Sequence, residues 1–362
     1  MDFAQYKESF SKEAPKLGYS KQNIQHCLDY AEVLFSKDLP VIYNPSHLSA
    51  LLGYKKEYIK KATLYTQKFY RDFEIQKSNG KKRLISEPLP SLKEIQLWIL
   101  KNILYKVPVS PFAKAYKPNT RLIENLKFHK KQPKVLTVDL ENFFPSIKIN
   151  AIEKIFTELG YSRLVSKMLS RLCTRDGALP QGAPTSPYLS NLLFKASDEL
   201  IANFCRERKI RYTRYADDLS FSGDFNEKEL LDKVTETIEK LHFKINTEKT
   251  RLMTPNTRQV VTGIVVNERP QVVFHKRNAL RQAMYYIKKF GIDEHREYKE
   301  INQANYLQHL LGRINFVLQI NPKDTEFIEY KSYLIELKKK LDLKLKKPDS
   351  ILISKTTIYI NP

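Results

Sequence analysis

The segment IRYTRYADDLSFSG (residues 210–223) alternates apolar and polar side chains on both sides of Ala216-Asp217. That pattern reads as a tight antiparallel hairpin with Asp217 and Asp218 at its tip. A second run, KVLTVDL (134–140), reads as a buried-type strand with Asp139 at its end. An unpaired buried carboxylate costs on the order of several kcal/mol, so a carboxylate at the end of so apolar a strand needs a partner. Side by side, the two strands bring Asp139 and Asp217 together, a pair that repels itself unless a cation lies between. Two divalent ions about 3.5–4 Å apart are what two-metal phosphoryl transfer uses. Magnesium takes one or two carboxylates and lets substrate phosphates complete its shell. A lone strand-end Asp is more often a turn or cap residue, and an isolated Asp-Asp pair is usually just exposed. The chemical reading rests on the three occurring together, in order, with specific neighbours.

Charge supplies the partner. Lys and Arg number 62 against 40 Asp and Glu, a net charge of +22. A surplus of that size repels itself in a compact body, and its usual counterpart is a polyanion whose phosphates exchange counterions for basic side chains. Hydrophobic residues make up 42%, enough to bury a sizeable core. At ~150 residues per domain the length suggests two or three domains, or one multi-lobed enzyme. No apolar run approaches the ~20 residues of a membrane span, and MDFAQYKESFSKEAPK at the N-terminus is too polar and too acidic for a signal peptide. Cys27, Cys173 and Cys205 are far apart and odd in number, which excludes a disulfide framework and a CxxC-type zinc site and fits a reducing cytosol. HExxH, GxxxxGK[ST] and GxSxG patterns are absent, which sets zinc-hydrolase, ATPase and serine-hydrolase readings low.

Along the chain, residues 1–60 read as short helices and 69–85 as a hairpin around Ser78-Asn79-Gly80, with a helix over LKEIQLWILKNIL. An amphipathic helix follows FFPS, with Ile152, Ile155, Phe156 and Leu159 on one face, then a second helix around Leu164 to Leu172. LPQGAPTSP (179–187) is a Pro/Gly-punctuated loop, and Tyr188 to Cys205 is expected to be one long helix. LLDKVTETIEKLHF is another amphipathic helix, and VVTGIVVNERPQVVF a hairpin turned at Asn267-Glu268-Arg269-Pro270. From about residue 275 the chain reads as helical and strongly basic, ending in a β-prone tail, ILISKTTIYI. The alternation of strands and helices predicts an α+β sheet platform flanked by helices.

Three segments together resemble the reverse transcriptases. YADD (215–218), between RYTR and LSFSG, is similar to their catalytic hairpin; VDLENFFPSI (138–147) to their preceding metal-binding segment; and LPQGAPTSPYLSNLLF (179–194) to the nucleotide-side loop and helix between them. VTG (261–263) resembles the triplet characteristic of the bacterial retron branch, and Asn125 and His129 in NLKFH resemble its NAxxH segment, with Leu126 where that pattern has Ala. With KKRLISEP and the thumb-like GRINFVLQINP, the resemblance spans roughly residues 70–325. It implies a right-hand polymerase fold, fingers, palm and thumb, with an antiparallel palm sheet and a helical basic thumb. The expected division is an N-terminal helical extension (1–65), fingers and a family-specific insertion (66–133), palm (134–274), and thumb with tail (275–362).

The resemblance also assigns roles. Asp139 and Asp217 become metal ligands, with Asp218 supporting the site. Lys249 is the candidate donor of a proton to pyrophosphate, against a surface helix-cap lysine. Lys82 and Arg83 are expected to hold the triphosphate, Arg83 being the better candidate, against a solvated charge run. Gln181 and Gly182 are expected against the incoming nucleotide, the glycine allowing close backbone approach. Phe144, five residues beyond Asp139, matches the ring that excludes a ribose 2′-OH. Neighbours on a strand face opposite ways, so at least one of Phe143 and Phe144 is expected in the core. Tyr215 is expected beneath the primer end. Asn125 and His129, at i,i+4 spacing, are expected to face one partner in recognising RNA, against a local hydrogen-bonded pair. Lys338, Lys339 and Lys340, with Lys344, Lys346 and Lys347, form a basic thumb surface suited to phosphates, against plain solubility.

The implied activity is RNA-directed DNA synthesis in the bacterial cytoplasm, from dNTPs with two Mg²⁺ ions, Mn²⁺ being the alternative. The implied partners are a structured non-coding RNA of msr–msd type, the RNA–DNA hybrid made from it, and a defence effector protein, with no membrane. The chain is expected to be too short to add a ribonuclease H domain. Two alternatives stay open: another bacterial reverse transcriptase class (group II intron-like, diversity-generating or abortive-infection), and a non-catalytic RNA-binding scaffold.

Overall fold

A four-stranded sheet carries the acidic segments. The computed structural model describes residues 2–76 and 80–346, with side chains through 342; the hairpin turn expected at Ser78-Asn79 and the tail ILISKTTIYI lie outside the described residues. The described strands of the first unit are β1 (Tyr70–Gln76), β2 (Lys82–Pro88), β3 (Lys134–Leu140), β4 (Arg211–Tyr215), β5 (Asp218–Gly223), β6 (Ile245–Met253) and a two-residue strand, Val260–Val261. The chain divides into two compact units, Met1–Thr262 and Gly263–Pro362.

In the first unit β1 and β2 form an antiparallel hairpin, and the main sheet runs β4-β5-β3-β6. The α+β reading therefore holds. β3 lies at the centre of the sheet, antiparallel to both β5 and β6, with Val135, Leu136, Val138 and Leu140 buried. Helices Ile149–Glu158 and Arg163–Cys173 follow β3, and Glu227–Glu239 follows β5. The single helix expected from Tyr188 to Cys205 is two, Ser186–Leu193 and Lys195–Glu207, meeting at Phe194. Phe194 is fully buried against Phe143 and Phe243, which fixes the joint between them.

The N-terminal segment is helical, from Phe3–Glu13 to Lys56–Leu64. Leu34, Leu48, Ile59 and Ala62 belong to the same hydrophobic cluster as Val138, Phe143 and Phe221, so the later part of this segment shares the core of the sheet, while Ala14, Ile24 and Leu28 form a separate small cluster with Tyr6 and Phe10. The division into compact units falls at 262/263, so the short hairpin Ile264–Val265 with Gln271–Val272 belongs to the second unit. Helices Phe274–Phe290, Ile292–Tyr298, Tyr306–Ile320 and Thr325–Lys346 complete that unit. A buried ion pair, Arg277 to Asp324 at 2.7 Å, lies inside it. Among the described residues no helix is long and apolar enough to cross a membrane.

Candidate active site

The hairpin forms as the alternation dictates. Tyr215 pairs with Asp218, leaving Ala216 and Asp217 as the two loop residues. Ala216 has φ 61°, a left-handed conformation that costs an L-residue roughly 1–2 kcal/mol. Two hydrogen bonds hold the tip there. Arg214 Nη1 donates to the Ala216 carbonyl at 3.1 Å, and the Leu140 amide donates to the Asp217 carbonyl at 3.1 Å. Arg214 itself is fully buried. Its guanidinium donates to both oxygens of Asp198, at 2.8 and 2.7 Å. Tyr212 donates to the same carboxylate at 2.7 Å, and the Phe194 ring lies 4.6 Å beneath the guanidinium carbon. Sequence reasoning missed this network. Its signal was an arginine inside an otherwise buried strand, a residue that demands an acidic partner.

Asp139 lies directly opposite Asp218 in the β3–β5 register. Like charges so paired repel. Burial, then Asp217 and Asp139, push the Asp218 carboxyl up to about 7, with Lys249 opposing. Asp217 is raised as well, chiefly by burial and then by Asp139, while Lys249 and Arg83 pull it down. Lys249, on β6, sets its ammonium 2.7 Å from Asp139 Oδ1. Among the described residues no three acidic, histidine or cysteine side chains converge tightly enough to hold an ion as they stand, Asp139 being bonded to Lys249 instead. The donors nonetheless suit a hard divalent cation: carboxylate oxygens, crowded by like charge and half-buried.

The neighbouring β1–β2 hairpin separates its two basic residues. Lys82 is paired with Glu74 at 2.6 Å. Arg83 instead lies within electrostatic reach of Asp217 and Tyr116. Gln181 and Gly182 meet this hairpin: the Ser86 amide donates to the Gln181 carbonyl at 2.8 Å. Gly182 has φ 130°, and a Cβ there would sit 2.7 Å from the Ser86 carbonyl oxygen. This glycine therefore lets the loop approach β2 closely. Arg175 fastens the same region, bonding Asp72 at 2.8 Å and Ser86 Oγ at 2.8 Å.

Phe143 and Phe144 lie on a short helical turn, Phe143–Ser146, not on the strand expected for them. Both are buried in the same hydrophobic cluster: Phe143 packs on Phe194 and Phe243, and Phe144 also meets Tyr116 at 6.2 Å between ring centroids. Tyr116 is a site residue that the motifs did not reveal. It has φ 60°, and burial together with Asp217 and Tyr215 raises its hydroxyl to about 12.

The expectation that Asn125 and His129 face RNA is corrected. Both are fully buried. The helix there is only Leu122–Leu126, so their spacing is not a helical i,i+4 pair. His129 bridges the sheet, 2.8 Å from Ser222 Oγ and 2.7 Å from Thr213 Oγ1, and burial brings its imidazole down to about 3. Lys338, Lys339 and Lys340 lie on the helix Thr325–Lys346 of the second unit; the Lys344 and Lys346 side chains and Lys347 are outside the described set.

Residues 75–303 match the family described as reverse transcriptase (RNA-dependent DNA polymerase). The chain is 31% identical to the Retron Ec86 reverse transcriptase of Escherichia coli over 308 residues, which cover 83% of this chain and 92% of that relative. It is 33% identical to the Retron Mx162 reverse transcriptase of Myxococcus xanthus over 232 residues, covering 56% of this chain and 48% of that longer relative. A solved foamy viral protease–reverse transcriptase in complex with double-stranded DNA is 17% identical, with a TM-score of 0.43 and coverage of 76% of this chain and 42% of that one.

Proposed function

The chain belongs to the retron-type reverse transcriptases and is an RNA-directed DNA polymerase, and from that premise we propose that it copies a structured non-coding RNA of msr–msd type. Synthesis begins on the 2′-OH of an internal guanosine, so the product is a branched RNA–DNA hybrid, multicopy single-stranded DNA. The product serves anti-phage defence together with an effector protein. The observation that carries the enzymatic part is the clustering of Asp139, Asp217 and Asp218 at the joined ends of β3 and the β4–β5 hairpin.

Membership of this family implies a divalent cation, and we assign two Mg²⁺ ions to the three carboxylates. Bound there, such ions supply positive charge opposite the triphosphate and the attacking hydroxyl. The protein's own groups do the rest. The buried Arg214 holds the hairpin tip that carries Asp217. Arg83 meets the triphosphate. Phe144 with Tyr116 borders the sugar, and Tyr215 the primer end. Lys249 neutralises Asp139 until substrate and cation arrive, and is then available to the leaving pyrophosphate.

The test is DNA synthesis by the purified protein with the RNA encoded beside its gene, Mg²⁺ and dNTPs. A branched, templated DNA is expected, and none from Asp217→Asn with Asp218→Asn. Synthesis persisting in that double variant would sink the mechanism, and an unbranched or untemplated product would move the enzyme to another class.

A further inference from the structure

Away from the carboxylates, helices Ile149–Glu158 and Arg163–Cys173 enclose an open groove of about 600 Å³. Its cationic lining is Lys154, Arg163, Lys167 and Arg171, and its one carboxylate is Glu153. None of the three catalytic aspartates lines it.

The second helix explains the arrangement. Its apolar positions, Val165, Met168, Leu169 and Leu172, are buried. Arg163, Lys167 and Arg171 recur every fourth residue and so fall on one face, about 6 Å apart along the axis at 1.5 Å per residue. Like charges at this spacing destabilise a helix by a few tenths of a kcal/mol per pair. Arg163 is also the first residue of the helix, where the macrodipole disfavours a cation. Among the described residues none of these three side chains has an ion-pair partner, whereas Lys82 pairs with Glu74 and Arg208 with Glu229. The row is therefore arranged against the helix's own stability, and no ion pair among the described residues neutralises it.

We propose that this groove binds the phosphate backbone of the RNA partner at a site separate from the catalytic cleft. The inference rests on the functional reading above for the identity of the polyanion. Successive cations in a straight row match successive phosphates along one strand. The helix N-terminus at Arg163 adds its partial positive charge at one end of the row. Asn150 and Thr157 on the opposing helix offer neutral hydrogen-bonding groups that tolerate any base sequence. Contacts of this kind position an RNA without reading its sequence.

The test uses Arg163→Gln with Lys167→Gln, two exposed positions whose replacement leaves the buried face intact. Binding of a labelled stem-loop RNA is measured by mobility shift over a series of salt concentrations, alongside extension of a DNA primer on a homopolymer RNA. The expected result is affinity about tenfold weaker or more. The slope of log K against log salt should fall by roughly 1.4–1.8, the share of two phosphates. Primer extension should stay within about twofold of wild type. Unchanged affinity and slope would overturn the proposal. So would intact RNA binding combined with loss of an acidic protein partner. Failure of the wild-type protein to make DNA from RNA would overturn the functional reading instead, and the salt slope would still report on the groove.

Discussion

Arg214 and Asp198 form a bidentate ion pair with both side chains fully buried, and the same guanidinium holds the carbonyl of Ala216 at the tip of the β4–β5 hairpin. The pair thus joins the helix Lys195–Glu207 to the loop that carries Asp217. Arg214→Met leaves Asp198 buried without a counter-charge and should cost about 3–5 kcal/mol in denaturant unfolding. Arg214→Lys keeps the charge but not the planar fork. It should fold, with kcat down roughly tenfold and the dNTP KM within about twofold, a split that a purely structural residue would not give.

Asp218 works against the fold. Its carboxyl stands at about 7 in the folded chain against an ordinary value of 3.8. Between those values the folded chain holds a proton that the unfolded chain has lost. The stability it contributes is full below 3.8 and falls as pH rises through about 7. Asp218→Asn should therefore melt a few degrees higher than wild type in EDTA at neutral pH, while losing DNA synthesis by about a hundredfold or more. An unchanged or lower melting temperature would contradict the crowding of the three carboxylates.

His129 gives the opposite slope. Its imidazole sits at about 3 when folded and 6.5 by reference, so between these values the unfolded chain takes up a proton that the folded one refuses. Its contribution is complete above 6.5 and is lost as pH falls toward 3, at about 1.4 kcal/mol per pH unit at most. His129→Gln should flatten this acid limb in a series of melts, while binding of RNA at neutral pH stays near wild type.

Arg83 and Lys82 separate kinetically. Arg83→Ala should raise the dNTP KM by about tenfold to a hundredfold, the worth of a charged hydrogen bond. Lys82 is an exposed partner of Glu74, and its alanine variant should stay within about twofold. Steady-state kinetics on a homopolymer RNA decides between them.

Phe144→Ala should raise incorporation of ribonucleotides relative to deoxyribonucleotides, read as a ratio of kcat/KM values. Selectivity that does not move would assign the gate to another ring, with Tyr116 the first to test.

The sheet and its carboxylates were legible because alternation and an Asp at the end of an apolar strand are local signals. β3 and the hairpin stand where their patterns put them. What pattern could not show was partnership across distance. Asn125 and His129 look like a polar recognition pair on paper, yet the bonds that bury His129 reach residues 84 and 93 positions away. The break at Phe194 was hidden because a helix-compatible sequence runs through it, and only packing on Phe143 and Phe243 ends the first helix there. Tyr116 carried no motif at all. Its place beside Phe144 follows from a left-handed turn that tertiary contacts impose.

The contact between Gly182 and Ser86 has a mechanical consequence. The loop and β2 share a backbone hydrogen bond and approach so closely that not even a methyl group fits between them. Neither can shift alone. A swing of the hairpin that brought Arg83 onto a triphosphate would drag Gln181 with it, so hairpin and loop would move as a single lever.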